Sequence, residues 1–354
     1  EKEENPRSIP PSPIIIDRIL EPEDLNYDHY ALHSNPPYFC ISGTTAYHYK
    51  NSQATQPFDS IEEETRVCML ALQERLYELG LDWSDVTNMN VYIKDMNEFS
   101  KMNGIYKTFF DINPPTRACV ASNLFSPIKI QIDLSATKLP SDANKINSTK
   151  PMKTMHVQSM SYWAPANIGP YSQAKIINNH AYIAGQIGLI PSSLEFPIPQ
   201  DISSQTALSL RNLEKIANAL ELNVKKRSAL CICYVDDKDS FGFVRKSWNW
   251  FCGNSEDPKK PKSIPPVLYV SVPSLPKRGK VEWQVLVHDE SNFEEIDHDD
   301  HKSSEILKNY LVSGEPLIFN DELNADDANP LMIKVNTWSL SPITSSVITI
   351  KFEE

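Results

Sequence analysis

Few side chains in this sequence stand at spacings that do chemistry by themselves. His298-Asp299-Asp300-His301 sets two histidines three apart among acids, a pattern able to hold a metal ion. It lies in the acidic run 290–300, which reads instead as a solvated connection. Cys231 and Cys233 are expected on opposite faces of a strand, against shared ligation, and no metal is assigned. The six cysteines, Cys40, Cys68, Cys119, Cys231, Cys233 and Cys252, show no Cys-x-x-Cys spacing. They read as reduced, mostly buried thiols of a cytoplasmic protein. Trp248, Trp250 and Phe251 crowd one helix, where core or interface packing is expected rather than stacking on bases. Glycine is scarce, 10 in 354 residues, and neither GxGxxG nor a GxxxxGK loop occurs. No nucleotide-phosphate cradle is therefore expected within the chain.

The elements that would position such groups come from the rest of the pattern. Hydrophobic residues make up 40% of the chain, enough for two domains and possibly three. With 34 Lys and Arg against 46 Asp and Glu, the net charge of -12 argues against binding a phosphate backbone. No apolar run approaches the ~20 residues that span a bilayer. The first residues contain neither Met nor a signal segment, so the chain is expected to belong to a longer polypeptide.

Residues 1–35 are rich in proline and read as a linker, as do residues 140–160. Between and after them lie two units, 36–139 and 161–290, that repeat each other. Tyr38-Phe39-Cys40-Ile41-Ser42-Gly43 matches Ala181-Tyr182-Ile183-Ala184-Gly185, a short strand running into a glycine. Ile61, Thr65, Cys68, Leu72, Leu76 and Leu79 step by three or four, which traces one face of a helix. Ile202, Thr206, Ser209, Leu213, Ala217 and Leu220 take the same places 141 residues later. Each unit continues with a strand, a second helix and two further strands. The order β-β-α-β-α-β-β predicts an α+β domain with two helices on one face of a mixed sheet. The other face needs a cover, and a second copy is expected to supply it. Residues 291–354 read as an acidic connection and a β-rich extension, with strand character at 331–335 and 346–352.

Longer motifs now carry a resemblance. Ile168-Gly169-Pro170-Tyr171-Ser172-Gln173-Ala174, followed by Ala184-Gly185-Gln186-Ile187-Gly188, resembles the amino-terminal signature of the RidA/YjgF family. Tyr92-Ile93-Lys94-Asp95-Met96-Asn97-Glu98-Phe99, with Pro115-Thr116-Arg117-Ala118-Cys119-Val120, resembles its carboxy-terminal signature. The resemblance implies a RidA-like, chorismate-mutase-like fold and sites formed between units of small trimeric proteins. It also implies hydrolysis of 2-imino acids to 2-keto acids and ammonia. An arginine would hold the substrate carboxylate, a glutamate would activate water, and a tyrosine would shape the pocket. Unit one keeps Arg117 and Cys119, but its glutamate position is Gln131 and it lacks Gly-Pro-Tyr. Unit two keeps Tyr171 and Glu282, but its arginine position is Val267. Neither unit is complete. Arg117, Tyr171 and Glu282 would have to combine into one composite catalytic site, with Cys119, Gly43, Gly185 and Gln131 lining pockets. The alternatives are that Arg117 binds a structural carboxylate, Glu282 faces solvent and Tyr171 only fills an interface.

Two such units fused behind a proline-rich lead-in resemble the carboxy-terminal region of the eukaryotic diphthine–ammonia ligases. That resemblance implies a docking or assembly module that binds elongation factor 2 carrying diphthine. ATP would sit in an upstream domain, no cofactor would bind in this chain, and the units would self-associate. Membranes and nucleic acid are not expected as partners.

Overall fold

Helix α1 (Ile61–Glu78) starts where Ser60 accepts the Glu63 N–H at 3.1 Å, with Glu62, Glu63 and Glu64 against the positive helix end. Its apolar face, Ile61, Cys68, Leu72 and Leu76, is fully buried as the spacing predicts. The counterpart α3 (Ile202–Ala219) is capped by Asp201, which accepts the Ser204 N–H at 2.7 Å. These helices organise the computed structural model, which describes residues 31–35, 37–49, 57–138, 152–178, 180–253 and 264–288.

The first unit runs β1 (Ala31–Asn35), β2 (Tyr38–Thr44), α1, β3 (Val86–Ile93), α2 (Phe99–Tyr106), β4 (Thr116–Ala121), β5 (Ile130–Thr137). Its sheet order is β1-β2-β5-β3-β4. The second runs β6 (Lys153–Met155), β7 (Ala174–Ile177), β8 (His180–Ile187), α3, α4 (Val224–Arg227), β9 (Ser228–Val235), α5 (Phe241–Gly253), β10 (Val267–Ser271), β11 (Val281–His288). Its order is β10-β9-β11-β8-β7-β6. The class is α+β, two units of similar element order in one chain. Two boundaries differ from expectation. Ala31–Asn35 pairs antiparallel with β2, and Lys153–Met155 pairs with β7, so each sheet begins inside a stretch read as linker. Proline density hid the first strand, and three residues are too short to show alternation in the other. The strand readings at 331–335 and 346–352 lie outside the described residues, as does His298–His301.

The repeat extends to register. Arg117 pairs with Met89 across β4 and β3, and Val267 pairs with Cys231 across β10 and β9, so Arg117 and Val267 are equivalent. Glu64 on α1 accepts the Lys129 N–H at 2.8 Å, and Gln205 on α3 accepts the Lys280 N–H at 2.8 Å. Burial raises the Glu64 pKa, which suits a carboxyl doing the work of the equivalent amide. Cys231 and Cys233 both enter the core of unit two, since residues two apart on a strand share a face. Trp248 is buried and stacks on Trp283 at 5.2 Å, whereas Trp250 is exposed.

The open sheet faces cover one another in part. Ala118 and Val120 of β4 pack with Ile232, Tyr234, Val270, Val272 and Leu275 of unit two. The cover foreseen as a second copy is thus the chain's own second unit. Gln284 donates to Asn88 at 3.0 Å and to Asn90 at 2.8 Å, so the seam also carries amide bonds. Lys175, fully buried, reaches from β7 to the Val86 carbonyl at 2.6 Å. Burial lowers its pKa to about 8, with Asp85 opposing. His180 of β8 meets Tyr38 of β2, with Nδ1 3.3 Å from the phenol oxygen. Among the described residues no helix is long and apolar enough to cross a membrane.

Candidate functional site

Arg117 stands on β4, on the side of the strand that turns toward α2. Phe99 and Asn103 are one helical turn apart on α2 and face it together. The Asn103 carboxamide oxygen accepts from Arg117 Nη1 at 2.8 Å. Around the guanidinium carbon lie the rings of Tyr106 at 4.7 Å, Phe99 at 5.6 Å and Tyr171 at 5.6 Å. Such stacking suits the planar, weakly hydrated guanidinium and holds it without neutralising it. Arg117 is only 3% exposed and makes no ion pair among the described residues, so it is not a clamp for a structural carboxylate.

Unit two supplies the opposite wall. Tyr171 follows Gly169, which packs so closely on Arg117 that a Cβ there would sit 2.5 Å from Nη2. Glu282, near the start of β11, lies beneath the bulge of β8. Between the pairs Ile183–Val285 and Gln186–Trp283, two residues of β8, Ala184 and Gly185, oppose the single residue Gln284 of β11. A Cβ on Gly185 would come within 1.7 Å of Glu282 Oε1, so only glycine leaves room for the carboxyl. Glu282 is 3% exposed, which excludes the solvent-facing alternative. Its Oε2 has no hydrogen-bond partner among the described residues. Burial pushes its pKa up to about 8, with Arg117 pulling the other way. The carboxyl is therefore largely protonated at neutral pH. Burial likewise raises Tyr171 and Cys119 to about 12 each, so neither ionises readily.

Phe99, Arg117, Cys119, Ile168, Tyr171, Gly185, Ile187, Pro276 and Glu282 line one small cleft. It joins a cation with free donors, an unpartnered carboxyl and apolar walls, a set able to bind a small carboxylate and move a proton. Of the residues read from sequence, Arg117, Tyr171, Glu282, Cys119 and Gly185 meet here. Gly43 and Gln131 do not. They hold the equivalent places in unit one and do not line this cleft. Gly43, at a positive φ of 77°, instead donates its N–H to Asp133 at 2.6 Å. Val267, in the equivalent place to Arg117, offers no charge to a second cleft. Missed from sequence were Phe99, Asn103, Ile168, Ile187 and Pro276. The i, i+4 spacing of Phe99 and Asn103 ahead of Arg117 was the available signal. No group of three or more metal-ligating side chains occurs among the described residues.

Comparison with known proteins follows the duplication. The family model described as Endoribonuclease L-PSP matches residues 22–138 and again 162–289. The chain is 32% identical over 235 residues to the diphthine–ammonia ligase of Schizosaccharomyces pombe, covering 66% of the chain and 36% of the ligase. The ligase of Saccharomyces cerevisiae is 30% identical over 227 residues, 62% of the chain and 32% of the relative. The chain thus spans about a third of the length of these ligases. A mouse 2-iminobutanoate/2-iminopropanoate deaminase is 33% identical over 127 residues, 35% of the chain and 84% of the deaminase. Among solved structures, the YjgF gene product of E. coli is 29% identical, covering 38% of the chain and 98% of that protein at a TM-score of 0.33.

Proposed function

Because the chain belongs to the Endoribonuclease L-PSP family and carries its unit twice, we propose that the two units form one hydrolytic site for a small 2-imino acid. The observation behind this reading is that Arg117 of one unit and Tyr171 and Glu282 of the other line a single cleft. Arg117 would take the substrate carboxylate through parallel N–H donors while Asn103 holds its far side. Water adds to the imine carbon, the C–N bond breaks, and ammonia leaves with a 2-keto acid. Glu282 is the proton carrier. Protonated in the empty cleft, it gives its proton to the imine nitrogen; the carboxylate then takes a proton from the attacking water, passes it to the amine, and recovers the hydroxyl proton as the C–N bond breaks. The apolar walls fit a short aliphatic side chain. An RNA-cleaving reading, suggested by the family's description, finds less support in a chain of net charge -12 with one arginine in its cleft.

The ligase relatives are named for using ammonia, which is the product of this reaction. Release of ammonia beside an amide-forming site would supply it where water competes least. ATP and diphthine on elongation factor 2 would then belong to the rest of such a protein. The described residues hold no glycine-rich phosphate cradle. A docking role for the same units is favoured by Tyr162, Met160, Trp163 and Ile112, whose large apolar side chains are exposed.

The test is turnover of freshly generated 2-iminopropanoate to pyruvate by the purified chain. Turnover above buffer that is lost in Arg117→Ala supports the reading, and a rate equal to buffer removes it. Docking is tested by retention on diphthine-bearing elongation factor 2, with no retention at micromolar concentration counting against it.

A further inference from the structure

Strand β4 carries Arg117 of the cleft, and both its ends are hydrogen-bonded to the other unit. At the far end Ala121 N–H donates to the Ser274 carbonyl at 2.9 Å. At the near end Ser172, fully buried, makes two bonds to successive carbonyls of unit one. Its hydroxyl donates to Pro114 at 2.7 Å and its N–H to Pro115 at 3.2 Å. One residue, Thr116, separates Pro115 from Arg117, and Ser172 is the immediate neighbour of Tyr171. On its other side Gln173 grips unit two, accepting the Val157 N–H at 2.7 Å and donating to the Val157 carbonyl at 3.0 Å. Thr116 in turn fixes β4 within unit one through bonds to the Thr87 carbonyl at 3.0 Å and Asn88 at 2.9 Å.

We infer that Ser172 is a positioning residue, which sets the span between the Arg117 guanidinium and the Tyr171–Glu282 wall. This inference rests on the proposed imino-acid reading for its kinetic consequence, but not for its structural one. Two rigidly anchored segments meet at Ser172, so its hydroxyl fixes their relative placement while touching no substrate. Loss of that bond should let β4 shift at the end nearest Arg117. Carboxylate binding depends on the fork geometry of the guanidinium, whereas proton transfer depends on Glu282, which sits wholly in unit two. The two kinetic constants should therefore separate.

The experiment compares Ser172→Ala with the isosteric Ser172→Cys. For 2-iminopropanoate, Ser172→Ala should raise KM by about tenfold with kcat within about twofold, and Ser172→Cys should recover most of the loss. Independently of turnover, Arg117 should react faster with phenylglyoxal in Ser172→Ala, read by mass on the peptide that contains it, because the parent residue is shielded at 3% exposure. Unchanged labelling in the folded variants, or a fall in kcat at constant KM, overturns the inference. If the parent chain turns over no imine, the proposed function fails while the labelling still decides the role of Ser172. If Ser172→Ala does not fold, Ser172→Gly, which also lacks the hydroxyl, carries the test: labelling equal to the parent and far from that of the unfolded chain, with unaltered 115–121 amide exchange, would overturn it.

Discussion

Arg117 and Glu282 face one cleft from opposite units and do not close into an ion pair. A guanidinium held by Asn103 and aromatic rings keeps donors free, and a buried carboxyl opposite it keeps its proton. That open relationship is what a bound carboxylate would complete.

Replacing Arg117 by Ala should lower kcat/KM for 2-iminopropanoate by about a hundredfold or more, since a charge-assisted pair of bonds is lost. Arg117→Lys should recover little, because an ammonium neither forks nor stacks as the guanidinium does among Tyr106, Phe99 and Tyr171. Steady-state kinetics on the three proteins check this, and full rescue by lysine would contradict it.

Glu282 ties stability to pH. Its folded pKa, about 8, lies above the ordinary 4.5, so the folded chain binds more protons between those values. Its contribution is fully present below about 4.5 and lost as pH rises through 8. Glu282→Gln should then match the parent's stability at pH 4.5 and exceed it at pH 9, by an amount on the order of a few kcal/mol. Thermal melts across that range measure it. Activity should fall throughout, since the amide cannot carry the proton.

His180 acts in the opposite direction. Burial, helped by His288, lowers its pKa from 6.5 to about 4, so its contribution is present above 6.5 and lost as pH falls toward 4. His180→Phe keeps a ring against Tyr38 but cannot titrate. Its melting temperature should decline less between pH 6.5 and 4 than the parent's, and parallel curves would argue against this assignment.

Gly185→Ala should abolish activity and destabilise unit two, because the new methyl lies 1.7 Å from Glu282 Oε1. Combining it with Glu282→Ala should restore much of the melting temperature by emptying that space, without restoring turnover. Failure of the double variant to recover stability would place the clash elsewhere.

The repeat was legible because helix spacing survives divergence: Cys68 aligns with Ser209 and Leu72 with Leu213 as buried positions. Arg117, Tyr171 and Glu282 were legible as residues, but not as neighbours. Which edges of two sheets meet depends on packing of Ala118 and Val120 against Ile232 and Val270, and no local pattern encodes that choice. Gly43 and Gln131, read as pocket-lining, do not line this cleft. Asn103 escaped notice because its role comes from a side chain on another element, 14 positions away. The first strand was hidden by the prolines around it.

The imbalance between Arg117 and Val267 has a further meaning. Units that meet by chance must each keep every part, since either may end up on either side of a joint. Units written into one polypeptide always meet as the same pair, at a local concentration independent of dilution. Each can then shed the half it never presents, as unit one has no glutamate at 131 and unit two no arginine at 267. Seen so, the seam between the sheets works as a division of labour fixed by inheritance.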